Sequence, residues 1–287
     1  MISGYIALTK PKIILLLLVT ALGGLFLATE GIPKLWLSMT VLIGGSLAAG
    51  GANSINHYLD RDIDAKMTRT SNRPVASGSI KPIYALSFGI LLNVVGFSLL
   101  WQFANLISAI LVISATLFYV FVYTLGLKRT TPQNIVIGGA AGSIPPMAAW
   151  AAVTGNILDP APFFLFAIVF FWTPPHFWAL SLLLKDDYAE AGIPMLPVVS
   201  GVDNTKRQIF IYTWLLLALV VATTFVISDF HLIYGVTSIL LTIVFIGMAW
   251  RLMKQNGIEF AKPTYLFSLA YLGLIFIAVM IDSVVTS

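Results

Sequence analysis

The chain has 287 residues, of which 59% are hydrophobic and only 10% charged, and its mean hydropathy is +0.94. A soluble domain of that length carries roughly a quarter charged residues, so lipid must be much of this chain's solvent. Cysteine is absent, which excludes disulfides, zinc–thiolate centres and thiol catalysis, and the net charge of +4 comes from 16 basic against 12 acidic residues.

From Met1 the sequence enters its first long apolar run within about a dozen residues, with no signal-peptide cleavage pattern and no serine-rich transit region. This short start suits a prokaryotic inner-membrane protein. A spanning helix needs about 20 apolar residues. The hydropathy pattern predicts nine spans, at 13–29, 36–57, 83–101, 104–125, 135–152, 161–184, 208–228, 232–250 and 264–283. Connections such as "WQFAN" and "SDFH" leave no room for a separate soluble unit. The expected fold is therefore an all-α integral membrane protein, one domain over 1–287, with nine transmembrane helices around a central cavity.

Nine spans put alternate loops on opposite sides. The amino terminus and the even-numbered loops hold 15 of the 16 lysines and arginines, and Lys34 alone lies on the other side. By the positive-inside rule the amino terminus is cytoplasmic and the carboxyl terminus outside. For Lys10, Lys12, Arg251 and Lys254, orientation is a sufficient reading, and no nucleic-acid partner is expected.

Orientation does not require acids, yet the stretch after the second span, "NHYLDRDIDAKMTRTSNRP", holds three aspartates among its arginines. On a continuing helix, residues four apart differ by about 40° around the axis. Asn56, Asp60 and Asp64 then share one stripe, and Asp62 points away. After the sixth span, Asp186 and Glu190 are again four apart, each 126 residues beyond its counterpart in the first stripe, with Asp187 alongside. This spacing predicts an internal pseudo-repeat with two half-sites facing one cavity.

Paired carboxylates suit a hard divalent cation. Magnesium takes oxygen ligands and commonly bridges one or two carboxylates to phosphate. The neighbouring Arg69, Arg73, Lys128, Arg129 and Lys185 fit the phosphate half of such a site. The plainer reading is a solvated loop in which Asp60 and Asp62 pair with Arg61 and Lys66. Asn56 argues against it, because a buried amide needs a partner. His176 lies in "WTPPHFW" within the sixth span, about ten residues and roughly 15 Å deeper than Asp186 on a straight helix. Pro174 and Pro175 are expected to kink that helix and open space beside it. A hydrogen bond to a carbonyl freed by the prolines competes with ligand contact as the reason for His176. Tyr119 and Tyr123, four apart, read as an interfacial belt or as cation-stabilising faces. His57 reads as packing or a rim hydrogen bond, and "GGSLAAGG" and "GGAAG" as close helix packing.

The pattern N-x-x-x-D-x-x-x-D at 56–64, ahead of "KMTRTSNRP", resembles the UbiA superfamily of intramembrane prenyltransferases. Four segments are similar to the branch that farnesylates haem. They are "LTKPKI" at 8–13, "DRDIDAKMTRTSNRPVASG" at 60–78, "YTLGLKRTTPQNIVIGGAAGSIPP" at 123–146 and "FWTPPHFWALSLLLKDDYAEAGIPMLPVV" at 171–199. The resemblance implies farnesyl diphosphate and haem B as substrates and Mg2+ as the cation. It implies Asn56, Asp60 and Asp64 as catalytic residues, and Asp60 and Asp64 with Asp186, Asp187 and Glu190 as metal ligands. Arg69, Arg73, Lys128, Arg129 and Lys185 would hold diphosphate, and His176 would contact haem. The lipid bilayer of the cell membrane and a downstream haem A synthase or terminal oxidase are the implied surroundings. The wider superfamily has a second D-x-x-x-D, whereas this chain has Asp186-x-x-x-Glu190. A quinone-precursor prenyltransferase is the nearest alternative; a lipid phosphotransferase and a secondary transporter share parts of the pattern.

Overall fold

The computed structural model describes residues 2–228 and 230–286, and among them nine helices are long and apolar enough to cross a membrane. They are α2 (Pro11–Thr29), α3 (Leu35–Leu59), α5 (Pro82–Phe103), α6 (Leu106–Leu117, continued by a π-helical segment Phe118–Leu127), α7 (Asn134–Thr154), α8 (Pro160–Leu183), α11 (Val202–Val226), α12 (Leu232–Lys254) and α13 (Ala261–Val285). Each expected span is present. The largest boundary difference is α11, which starts six residues earlier than the expected 208, because its first turn carries "VDNTKR" above the apolar run. The second short connection, "SDFH", includes Asp229, which lies outside the described residues.

Four short helices complete the chain: α1 (Ile2–Thr9), α4 (Arg61–Asp64), α9 (Lys185–Glu190) and α10 (Leu196–Val199). Neighbour contacts run α2, α3, α5, α6, α7, α8, α11, α12, α13 and back to α2, so the spans form a closed ring. The most extensive further contacts, α2 with α7 and α8 with α13, cross it. One apolar core, with Trp172, Tyr271, Phe245 and Phe276, fills the α8–α13 side. A second, with Leu25, Leu100, Ala109 and Ala149, fills the α2–α7 side.

The glycine runs act as expected. Gly51 on α3 faces Gly89 on α5, and a Cβ added at Gly89 would meet the Gly51 carbonyl oxygen at 2.7 Å. Backbone-to-backbone approach of this kind is what small residues permit between membrane helices. Ser54, one turn on, donates to the Ala85 carbonyl at 2.7 Å and ties the same pair. Gly89→Val should therefore overpack the seam by about 1–3 kcal/mol. We expect its thermal midpoint in detergent to fall by about 5 °C, while Gly273→Ala, where an added Cβ meets nothing within 4 Å, should leave it unchanged.

Candidate active site

α3 does not run on through Asp64. It ends at Leu59, Asp60 takes up φ −92° and ψ 7°, and the single turn α4 follows. The i→i+4 bonding survives this break: the Asp60 N–H reaches the Asn56 carbonyl at 2.8 Å, and the Asp64 N–H reaches that of Asp60 at 2.8 Å. Asn56, Asp60 and Asp64 consequently share a buried face, with Asp60 fully buried and Asp64 2% exposed. The Asp62 side chain is 57% exposed and turned outward.

Four cations converge on this stripe. Arg73 Nη1 donates to both Asp64 oxygens at 2.8 and 2.9 Å. Lys128 Nζ bonds Asp60 Oδ2. Arg129 donates through Nη1 and Nη2 to Asp62 at 2.7 and 2.8 Å and through Nη2 to the Leu59 carbonyl at 3.1 Å, so it clamps the end of α3. This hydrogen bond holds the Asp62 carboxyl at about 2, below its ordinary 3.8. The pair's contribution is present above the unfolded value and is lost as pH falls through about 2. The fourth cation, Lys10, is more than the orientation charge that its place in the sequence suggests. It adopts a left-handed conformation (φ 53°) at the break between α1 and α2, and Asn53 fixes that break by donating to the Thr9 carbonyl at 2.9 Å. Lys10 Nζ thereby reaches Asn56 Oδ1 at 3.0 Å. Burial, then the charges of Arg73 and Lys128, lower its ammonium to about 7, with Asp64 and Asp60 opposing.

Asn56 is held on both sides. Its Oδ1 accepts from Lys10, and its Nδ2 donates to Asp60 Oδ2 at 2.6 Å and to Thr124 Oγ1 at 3.3 Å. With Oδ2 so occupied, Asp60 Oδ1 is buried without a hydrogen-bond partner; Arg129 stands 3.7 Å away. A fully buried carboxylate oxygen with free lone pairs, on the same face as a second carboxylate, is a donor pair that fits a hard divalent cation. Lys10, Arg73 and Lys128 outnumber the two inner carboxylates, so the same ring of charge favours a polyanion.

The second acidic stripe differs from its expected form. α8 ends at Leu183, Leu184 breaks the register (φ −115°, ψ 20°), and α9 restarts at Lys185. Asp186 and Glu190 are exposed, and the residue turned toward the first half is Asp187, whose Oδ2 accepts the Arg69 backbone N–H at 3.4 Å. Lys185 is partly exposed. Among the described residues no three His, Asp or Glu side chains are gathered as a metal-binding group. The structure therefore does not bring Asp186, Asp187 and Glu190 together with Asp60 and Asp64.

His176 is buried on α8, which runs unbroken through Pro174 and Pro175. Instead of an opened space, its ring lies between Trp172 and Tyr265, at centroid distances of 4.3 and 4.9 Å. Its Nδ1 is 2.7 Å from Ser268 Oγ, and that hydroxyl donates to the Tyr265 carbonyl at 2.6 Å. Ser268 therefore accepts from Nδ1–H, and the lone pair falls on Nε2. His57 is buried with neither ring nitrogen hydrogen-bonded, which makes it packing rather than a rim hydrogen bond. Tyr119 and Tyr123 stack at 5.5 Å between centroids.

A family model described as the UbiA prenyltransferase family matches residues 17–278. A protoheme IX farnesyltransferase of Rippkaea orientalis is 47% identical over 284 residues, 98% of this chain and 87% of that protein. Two solved structures share the fold. One, of a digeranylgeranylglyceryl phosphate synthase in membranes, has a TM-score of 0.79 at 19% identity, covering 99% of this chain and 98% of the other. The second, a UbiA homologue from Archaeoglobus fulgidus bound to GPP and Mg2+, has a TM-score of 0.71 at 17% identity, covering 96% and 99%. With the family match spanning most of its length and the N-x-x-x-D-x-x-x-D stripe buried at one end of its ring of helices, this multi-pass membrane chain belongs to the UbiA prenyltransferase family.

Proposed function

We propose that the chain is a haem farnesyltransferase of the cell membrane. It transfers the farnesyl group of farnesyl diphosphate to a vinyl group of haem B, with water adding to the neighbouring carbon, and releases haem O and diphosphate. The observation that carries this reading is a buried carboxylate–amide stripe under a surplus of cations, in a chain 47% identical over nearly its whole length to a protoheme IX farnesyltransferase. On this reading residues 1–287 form one membrane domain, with a cytoplasmic amino terminus and the site at the cytoplasmic face. The product then passes to a haem A synthase or a terminal oxidase.

Asp60 and Asp64, with Asn56, would hold Mg2+, which supplies positive charge to the diphosphate oxygens. Lys10, Arg73 and Lys128 face the same stripe and hold the diphosphate as the allylic C–O bond breaks and its electron pair leaves with the phosphate. Arg69 and Lys185 contribute further charge at the rim, and Arg129 keeps the end of α3 in place through Asp62. Asp187 is the member of the second acidic set oriented to join, through the Arg69 segment. Tyr119 and Tyr123, stacked on the segment whose Thr124 meets Asn56, would offer ring faces to the allylic cation. The vinyl π-bond then attacks that cation, and water adds to the carbon left electron-poor, losing a proton. No protein nucleophile is needed. His176, with its lone pair on Nε2, is suited to contact the haem iron.

Pigment extraction tests the reading. Cells containing haem B and expressing the chain should yield a more hydrophobic haem of higher mass. The amount should fall about tenfold or more in His176→Ala, while farnesyl diphosphate binding changes less than twofold. A prenylated hydroxybenzoate or naphthoate with haem B untouched would instead establish the quinone-precursor alternative.

A further inference from the structure

The structure departs from the sequence reading most at the π-helical segment. π-helical turns are rare and concentrate at functional sites, since their wider turn gives up packing along the axis. Here the run covers Phe118–Leu127, ten residues. Its i→i+5 bonding is direct at the far end, where the Lys128 N–H reaches the Tyr123 carbonyl at 2.8 Å. The Thr124 hydroxyl donates to the carbonyl of Tyr119, also five residues back, at 2.9 Å.

Residues five apart are turned by about 140° on an α-helix, but by only about 50° when the bonding is i→i+5 and the turn widens to about 4.4 residues. In this segment Thr124 therefore lies on the side of Tyr119 and Lys128 on that of Tyr123. The two tyrosines are already neighbours, with ring centroids 5.5 Å apart. An α-helix would turn the two tyrosines about 100–180° away from Thr124 and Lys128, whereas the wider turn brings the two pairs toward one face. As built, Thr124 Oγ1 meets Asn56 Nδ2 at 3.3 Å, and Lys128 meets Asp60. Gly138 on α7 makes room for this arrangement, because a Cβ there would lie 2.3 Å from Tyr123 Cδ2.

Thr124 is 1% exposed, and its one hydroxyl proton goes to the Tyr119 carbonyl. What it offers Asn56 is a lone pair, which selects the amide nitrogen and rejects the amide oxygen. Lys10 enforces the same choice from the opposite side, because an ammonium can bond only the oxygen. Without the Thr124 oxygen, Asn56 Nδ2 keeps only its bond to Asp60 Oδ2, and the amide is freer to rotate.

We propose that Thr124 is a positioning residue, delivered by the π-helical turn, that fixes the Asn56 carboxamide so that its nitrogen holds the metal-binding carboxylate of Asp60 and its oxygen stays turned to Lys10. The inference rests on the site reading given above. Its test uses Mn2+ as the probe, titrated by electron paramagnetic resonance into detergent-purified protein with inorganic diphosphate present. Thr124→Val keeps the shape and removes the oxygen, and Thr124→Ser keeps the oxygen. The Mn2+ dissociation constant should rise about five- to tenfold in Thr124→Val and stay within twofold in Thr124→Ser, with thermal midpoints unchanged in both. Equal Mn2+ affinity in wild type and Thr124→Val would overturn the positioning role and leave the site reading intact. So would equal weakening in both variants that tracks a fall in thermal midpoint. No Mn2+ binding in wild-type protein would overturn the site reading itself.

Discussion

Asp60→Asn and Asp64→Asn should each lower prenyl transfer by about 100- to 1,000-fold, the range seen when one electrostatic contact to developing charge is removed. Asp62→Asn should lower it by less than about threefold. All three changes remove one carboxylate within five residues, so the contrast depends on geometry. Asp60 and Asp64 are buried on the face of Asn56, whereas the Asp62 side chain is 57% exposed and bonded to Arg129. The assay is transfer from radiolabelled farnesyl diphosphate at saturating Mg2+. A loss in Asp62→Asn exceeding the other two would mean that the stripe is not the reacting face. Stability needs a separate control. Removing one partner of a buried ion pair costs about 3–5 kcal/mol, and Asp60 is paired with Lys128. The double variant Asp60→Asn/Lys128→Met removes both charges, so it should recover thermal stability without recovering activity.

The contrast among these aspartates was legible in the sequence because it needs only i→i+4 spacing, and that spacing persists through the break at Asp60. The nine spans were legible for a similar reason: the bilayer demands long apolar runs, and composition alone marks them. What was not legible depends on where a helix stops. The offset of 126 residues equated Asp186 and Glu190 with Asp60 and Asp64. Leu184 re-aims the chain, however, so that Asp187 faces Arg69. Lys10 looked like an orientation charge because nothing in "LTKPKI" announces a left-handed residue at a helix break, except that Pro11 favours a new first turn. Thr124 was invisible, since the step from i→i+4 to i→i+5 bonding at Phe118 has no residue signature. In each case local pattern gave the residue types, and tertiary packing decided their direction.

Arg73 gives the prediction that best separates a substrate-binding cation from a structural one, because its two expected effects have opposite signs. Its Nη1 donates to both oxygens of Asp64, so it occupies the lone pairs that a metal would use. Its charge also adds to Lys10 and Lys128 in the field that a diphosphate meets. Arg73→Ala frees Asp64 and removes a repelling positive charge, so Mn2+ alone should bind about three- to tenfold more tightly. The same change removes a charge-assisted donor worth about 1.5–3 kcal/mol, so a non-hydrolysable farnesyl diphosphate analogue should bind about 10- to 100-fold more weakly. Arg73→Lys keeps the charge and loses the planar fork, and should recover only part of the analogue affinity. Calorimetric titration of each ligand into the same detergent-purified protein gives both constants. A purely structural arginine would weaken both ligands together as the site loosened, and an orientation charge would change neither. Only a cation that shares Asp64 with the metal and then turns to the diphosphate drives the two affinities apart.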